Sequence, residues 1–246
     1  MIDFNHNSNS PKSACENINN LIDAALVIEK NAEPKRNYLG ASMLGKACSR
    51  AIQYEFVGAP KDEGKEFDGQ TLRIFAAGHL FEDLLIKWFK SASFDLRTVG
   101  SDGHQFGFSM AGGKISGHSD GKFVGGAACM SYPALWECKS LKNKSWTDTV
   151  KKGVALSKPI YAAQIALYQA YLNLTENPAI FSAINKDTSE IYHELVPFNA
   201  ELAQRISDKA VNILKATEHG EQMPRGFSSE DHFECKMCSY KNRCWS

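Results

Sequence analysis

The apolar residues of this chain switch repeatedly between two spacings, and the order of those switches limits the fold more tightly than any other feature. Over residues 72–89, Leu72, Phe75, Ala76, Leu80, Leu84, Leu85 and Trp88 recur mostly three and four apart, which predicts a helix with one buried face. Over 100–124 the pattern becomes short alternating segments punctuated by Gly103, Gly107, Gly112, Gly113, Gly117 and Gly121, as in strands joined by tight turns. Residues 133–140 read as the next strand, 160–174 return to helical spacing, 180–184 and 191–197 form a strand pair around a polar turn, and 199–219 make a long amphipathic helix. Upstream, a short amphipathic helix is expected over 18–29, and Ser42 could cap a second one running through Leu44, Ala47, Ala51 and Tyr54. Residues 58–69, with six charged side chains, read as a solvated loop. Residues 1–19 are rich in Asn and Ser and read as a disordered or loosely attached arm, leaving 20–246 as a single domain. This order predicts an α/β fold with a central mixed β-sheet flanked by helices.

A hydrophobic fraction of 43% over 246 residues is ample for such a core. Lysine plus arginine equals aspartate plus glutamate, 28 against 28, which argues against binding nucleic acid through a global basic excess and leaves room for a local basic groove. No apolar run approaches the ~18 residues of a membrane span, and the start lacks the basic-then-apolar order of a signal peptide. The expectation is a soluble intracellular protein with no membrane partner. Seven cysteines, an odd number without a secretion signal, make a poor disulfide framework.

Four fragments carry chemistry. Asp120 closes the turn Gly117-His118-Ser119-Asp120-Gly121 at the end of a predicted strand. Glu137-Cys138-Lys139 lies on the following strand, where residues two apart share a face, so Glu137 and Lys139 project together and Trp136 and Cys138 point the other way. Two carboxylates and an ammonium so placed offer oxygen ligands to Mg²⁺ and a cation to position a nucleophile. Glu82, in Gly78-His79-Leu80-Phe81-Glu82, can add a ligand from the helix packed over the sheet. Gln164 and Tyr168 stand one helical turn apart and can hydrogen-bond a phosphate or a base. Taken singly these fragments are an ordinary ion pair, a turn and a helix edge; their order and spacing carry the signal.

That order, Gly-x3-Glu on a helix, Gly-x2-Asp, Glu-x-Lys about seventeen residues on and then Gln-x3-Tyr, resembles the PD-(D/E)XK nuclease superfamily, in the RecB-like branch that includes CRISPR-associated iron–sulfur exonucleases. The resemblance runs from about Leu39 to Trp245. It implies a restriction-endonuclease-like core, with Asp120, Glu137, Glu82 and the Cys138 backbone carbonyl as Mg²⁺ or Mn²⁺ ligands, His79 as an additional candidate and Lys139 as the catalytic lysine. Gln164 and Tyr168 would contact the DNA strand or orient Lys139. Ser119 stands where the superfamily's proline is expected. The implied activity is hydrolysis of DNA to 5′-phosphate products, as an exonuclease on single strands or duplex ends, in recombination, repair or phage DNA processing. A recombination partner protein and a bacterial or phage-encoded cytoplasmic setting go with it. Trimming of CRISPR spacer precursors is a close alternative, and a non-catalytic DNA-binding module that keeps the fold is a further one. The sequence leaves the oligomeric state open.

Three cysteines fall within the last twelve residues, as Cys235-x2-Cys238-x5-Cys244. This spacing suggests a soft-metal site one ligand short. In the resembling nucleases an early cysteine completes it, and Cys48, in Cys48-x-Arg50, looks like that segment. The resemblance implies a [4Fe-4S] cluster on Cys48, Cys235, Cys238 and Cys244; the same four thiolates also suit Zn²⁺, or the cysteines carry no metal. Since residues 48 and 235 are 187 positions apart, such a centre would work as a clasp joining 20–60 to 220–246. Charge is segregated as well: residues 139–158 hold six lysines against Asp148, whereas 176–234 hold eleven acids against five bases. Lys142, Lys144, Lys151 and Lys152, with Trp146 as a stacking platform, fit a groove that tracks DNA phosphates, and Arg50 is a further candidate contact.

Overall fold

The computed structural model describes residues 14–246. Its elements run α1 (Ala14–Ala32), β1 (Leu39–Gly40), α2 (Ala41–Leu44), α3 (Ser49–Phe56), α4 (Gly69–Ser91), β2 (Asp95–Arg97), β3 (Gly107–Met110), β4 (Ile115–His118) and β5 (Gly121–Gly125). They continue with β6 (Ala134–Leu141), α5 (Asn143–Ser157), α6 (Pro159–Tyr171), β7 (Ala179–Asn185), β8 (Ile191–Val196), α7 (Ala200–Glu218), α8 (Phe233–Lys236) and α9 (Lys241–Trp245).

Strands β6 and β7 organise the molecule. All seven residues of β7 are buried, as is most of β6, because both strands lie inside a five-stranded sheet of order β2-β5-β6-β7-β8. They pair in parallel, joined by a crossover through α5 and α6, while β5–β6 and β7–β8 are antiparallel. The two faces of β6 separate cleanly. Leu135 and Leu141 join Ala163, Ile165 and Leu167 of α6, whereas Trp136 and Cys138 join Leu85 of α4 and Phe123 of β5. Glu137 and Lys139 therefore belong to the α6 face, as the two-residue alternation requires.

The glycine-rich stretch is not one meander. Strands β3 and β4 pair with each other and, through β4, with the short parallel β1 to make a separate three-stranded sheet. Strand β5 belongs to the large sheet, where it pairs with β2, an element the sequence pattern did not reveal. The chain passes from one sheet to the other through Ser119 and Asp120.

Three other expectations are revised. The helix read from Ser42 to Tyr54 is two helices, because Lys209 of α7 donates from Nζ to the carbonyls of Leu44 and Lys46 and holds the chain open there. Helix α5 was not anticipated; it kinks at Gly153, where the Val154 N–H donates to Glu194 Oε2 at 2.7 Å. Helix α1 starts at Ala14, so residues 14–19 are helical, with 15–19 exposed; the rest of the expected arm, residues 1–13, lies outside the described residues. Among the described residues no helix is long and apolar enough to cross a membrane.

Candidate active site

Three carboxyl groups, Glu137 on β6, Asp120 in the turn between β4 and β5 and Glu82 on α4, come together beside the large sheet. Glu137 is completely buried on β6. Its Oε1 accepts hydrogen bonds from Lys139 Nζ and, at 2.7 Å, from Gln164 Nε2. Gln164 also donates to the Tyr168 hydroxyl at 3.3 Å. The other oxygen, Oε2, is buried with no hydrogen-bond partner. An acceptor left in that state destabilises by roughly 1–3 kcal/mol unless a ligand supplies the missing partner. Asp120, although it sits in a turn, is fixed to the large sheet: its Oδ2 accepts the Cys138 N–H at 2.7 Å.

Glu82 arrives from α4 with about a quarter of its side chain exposed, 26%. Burial pushes its carboxyl up to about 7, and the negative charge of Asp120 adds to the shift. Burial, and then Asp120, push Glu137 up to about 8, against the opposing pull of Lys139. Burial works against the Lys139 ammonium, but Glu137 and Asp120 outweigh it and hold the group protonated above its usual range. These shifts are the signature of carboxylates crowded where water cannot screen them. His79 is largely exposed, with Nδ1 3.8 Å from Glu82 Oε2.

Local sequence explains why the pieces fit. Gly117 closes β4 against α6: a Cβ there would stand 2.6 Å from Tyr168 Cε1 and 2.7 Å from the Ala41 Cβ. Ser119 uses the N–H that a proline would lack, donating to the Phe106 carbonyl at 2.9 Å, so a proline at this position would forfeit that bond. Gln164 and Tyr168 are both buried, and their polar groups are directed to Glu137 and to each other. They support the carboxylate rather than lie open to a DNA strand. Tyr161 was missed by the sequence reading. Lys139 Nζ lies 5.4 Å from the centroid of its ring, and the spacing Tyr161-x2-Gln164-x3-Tyr168 on one helix face was the available signal.

The cysteines form a second constellation. Cys48 immediately precedes α3, Cys235 lies in α8, Cys238 follows it, and Cys244 lies in α9. All four line one cavity of about 620 Å³. Burial pushes the Cys238 thiol up; the Tyr240 N–H, 3.4 Å from its sulfur, opposes this, and Cys48, Cys235 and Cys244 reinforce it. Gly226 permits the close approach, since a Cβ there would stand 2.9 Å from the Cys48 Cβ and 3.1 Å from its Sγ. Arg50 is engaged here rather than free for phosphate: Nε donates to the Met223 carbonyl at 2.5 Å, and Nη1 lies 3.9 Å from Cys244 Sγ.

Neither constellation is closed. Among the described residues, no group of three or more His, Cys, Asp or Glu side chains is arranged to hold a metal ion. The donors nonetheless suit one. The unpartnered Glu137 oxygen beside two further carboxyls fits a hard divalent cation, and four thiols around one cavity, with a glycine cradling one of them, fit a thiolate-ligated centre.

The lysine run lies on α5. Lys142, Lys144, Lys151 and Lys152 are exposed, with Lys152 paired to Asp148 at 2.7 Å. Trp146 is turned the other way. It packs against the core and donates from Nε1 to the Ala183 carbonyl at 2.9 Å, which corrects its reading as a stacking platform.

No protein-family profile matches the chain, and no curated protein sequence matches it. Solved structures do. An alkaline exonuclease, LHK-Exo, from Laribacter hongkongensis superposes with a TM-score of 0.52 at 12% identity, covering 76% of this chain and 90% of that one. LHK-Exo in complex with dAMP gives 0.52 at 14% identity, covering 82% and 93%. The protein SSO0001 gives 0.50 at 17% identity, covering 92% and 95%. At these identities what is shared is the fold, a mixed α/β architecture with central sheets flanked by helices, similar to that of the exonuclease; it carries no assignment to the RecB-like or CRISPR-associated branch.

Proposed function

We propose that this chain is a metal-dependent deoxyribonuclease, working as an exonuclease on single strands or duplex ends in DNA recombination, repair or phage DNA processing. One observation carries the reading: a completely buried glutamate, held by Lys139 and Gln164 through one oxygen, keeps its other oxygen unpartnered beside Asp120 and Glu82. The nuclease fold supports it, and one of the structures sharing that fold was solved with dAMP.

Glu82, Asp120, Glu137 and the Cys138 carbonyl would hold Mg²⁺ or Mn²⁺, which when bound supplies Lewis acidity toward a phosphate and a more acidic water. The chain's own groups do the rest. Gln164 and Lys139 fix the Glu137 carboxylate, so it need not reorganise when substrate arrives. Lys139, held protonated, is placed to orient the attacking water or to offset charge on the phosphoryl oxygens. Lys142, Lys144 and Lys151 offer the strand a row of cations leading away from the β6 terminus. Cys48, Cys235, Cys238 and Cys244 would hold a [4Fe-4S] cluster, with Zn²⁺ as the alternative, and so clasp the two ends of the domain.

The test is degradation of 5′- and 3′-labelled single- and double-stranded DNA with Mg²⁺ or Mn²⁺ by wild type, Asp120→Ala and Lys139→Ala. Each variant is expected to lose about 10³-fold in rate, within the span of positioned acid–base groups. Equal degradation by all three overturns the reading. Binding of DNA without cleavage by any of them favours the non-catalytic module. Absorbance near ~400 nm together with iron content separates a cluster from zinc.

A further inference from the structure

The loop between α3 and α4 does more than its composition suggests. Its six charged residues read as solvent-facing, yet Asp62 makes no ion pair among the described residues. Instead its polar groups go to the C-terminal tail. The Asp62 N–H donates to the Ser239 carbonyl at 2.8 Å. Its Oδ2 accepts the Asn242 N–H at 2.7 Å, and its Oδ1 faces the Arg243 N–H at 3.3 Å. The neighbouring Pro60 carbonyl accepts from Arg243 Nε, also at 3.3 Å.

Those positions have a meaning in helix chemistry. Asn242 and Arg243 are the second and third residues of α9, whose first-turn N–H groups have no partner within the helix. Normally the residue just before the helix supplies an acceptor, but Tyr240 makes no side-chain cap bond. Asp62 therefore caps α9 from a segment about 180 residues earlier in the chain. Ser239 adjoins Cys238, and Arg243 adjoins Cys244. Two of the three tail cysteines thus each lie one residue from a backbone group bonded to Asp62. Cys235 differs. Its helix α8 is held by local contacts, the His232 cap on the Glu234 N–H and the Lys236–Asp231 pair.

We propose that Asp62 is a positioning residue for the four-cysteine centre: by capping α9 across the fold it sets Cys238 and Cys244 opposite Cys48 before any metal arrives. The proposal rests on reading these cysteines as a metal centre, but the positioning can be measured without metal. Cys48, Cys238 and Cys244 are then a prebuilt template, and metal binding recruits chiefly α8 with Cys235.

The experiment compares wild type, Asp62→Ala and Asp62→Asn in two states. In protein purified without oxygen, iron and zinc are measured together with the visible spectrum. In protein stripped by a chelator, iodoacetamide labelling of each cysteine is followed by peptide mass spectrometry, with buried Cys138 as the internal check on folding. Asp62→Ala is expected to lose most of its metal. Its Cys238 and Cys244 should label about tenfold faster than in wild type, the size expected when a cap and its neighbouring bonds are removed, with a much smaller change at Cys235. Asp62→Asn keeps one acceptor oxygen and should fall between the two. If the alanine variant fails to fold, seen as rapid labelling of Cys138, the asparagine variant carries the comparison through its position-specific rates. Equal labelling of Cys238 and Cys244 across the folded proteins overturns the positioning role. Wild type that binds neither iron nor zinc overturns the metal reading, and the labelling comparison then still decides whether Asp62 positions the tail.

Discussion

The carboxylate site and the cysteine site are built by opposite strategies. Glu137 and Lys139 stand on a strand bonded on both sides, with Gln164 and Tyr168 delivered by a buried helix. Apart from the turn that carries Asp120, the supporting elements are regular, and they hold the constellation at the expense of an unpartnered oxygen and two carboxyls pushed up in pKa. The cysteines stand on a four-residue helix, the turn after it, a five-residue helix and the start of α3, tied to the rest of the fold largely by hydrogen bonds from loops. Phe233 and Met237, next to them, remain largely exposed. A site on the sheet can hold its electrostatic tension; a site on loops needs either a cap such as Asp62 or a bound metal to stay assembled.

The strongest way to break this contrast is to remove metal and watch where the chain opens. Trypsin cleavage after Lys236, in α8, is expected to accelerate about 100-fold on chelation, because short elements without a packed face sit at the low end of local stability. Cleavage after Arg243, under the Asp62 cap, should rise less, and 134–185 should stay protected in both states. Mass spectrometry of timed digests reads all three. Identical digestion with and without metal would mean that the tail is as self-sufficient as the sheet.

How much of this was legible in the sequence follows the same division. Period-two spacing put Glu137 and Lys139 on one face and Trp136 and Cys138 on the other, because a strand leaves no other choice. Helical spacing aligned Gln164 with Tyr168, and would also have reached Tyr161. What could not be read is what depends on distant partners. The glycine-rich stretch looks like one meander, since nothing local says that β5 will leave its hairpin neighbours for β2 and β6. Helix α5 hid in a lysine run with few apolar residues, of which Val154 is buried while Val150 and Leu156 are exposed, so no clear helical stripe marks the side that turns Trp146 toward the core. Asp62, Gly226 and Arg50 act through segments about 170 residues away, and no local pattern marks an acidic loop residue as another helix's cap.

A second prediction tests the tension at the carboxylate site through pH. A carboxyl held above its ordinary value keeps its proton in the folded protein after the unfolded chain has lost it. The folded state then binds more protons, so stability falls as pH rises through the window between the two values. For Glu82 that window runs from about 4.5 to about 7, and for Glu137 from about 4.5 to about 8. Each group contributes at most roughly 1.4 kcal/mol per pH unit. The metal-free protein is therefore expected to melt at progressively lower temperature from pH 5 to pH 8, and Glu137→Gln should flatten the decline. Mn²⁺ should oppose it increasingly toward pH 8, since binding requires the deprotonated carboxylates. Calorimetry across that range decides; a rising melting temperature in the metal-free protein would contradict the crowded-carboxylate description.

The smallest expected effect concerns the surface that joins the chemistry to its polymer. Lys144 and Lys151 project from α5 into solvent, whereas Lys152 is already paired with Asp148. A phosphate contact contributes mainly by releasing condensed counterions, so its loss shows in the salt dependence of binding before it shows in rate. For single-stranded DNA the slope of log affinity against log salt should fall by roughly 0.7 for each contact removed. Lys144→Ala and Lys151→Ala are each expected to weaken binding a few-fold near 0.1 M salt and to lower the slope by about that amount, with a smaller change for Lys152→Ala. Trp146→Phe provides the contrast. It deletes the bond to the Ala183 carbonyl and should lower the melting temperature while leaving the slope intact. Fluorescence anisotropy with a labelled oligonucleotide at several salt concentrations, using an Asp120→Ala background to prevent cleavage, measures both. If the lysine variants keep the wild-type slope, the strand runs elsewhere, and the helix that carries them serves the fold alone.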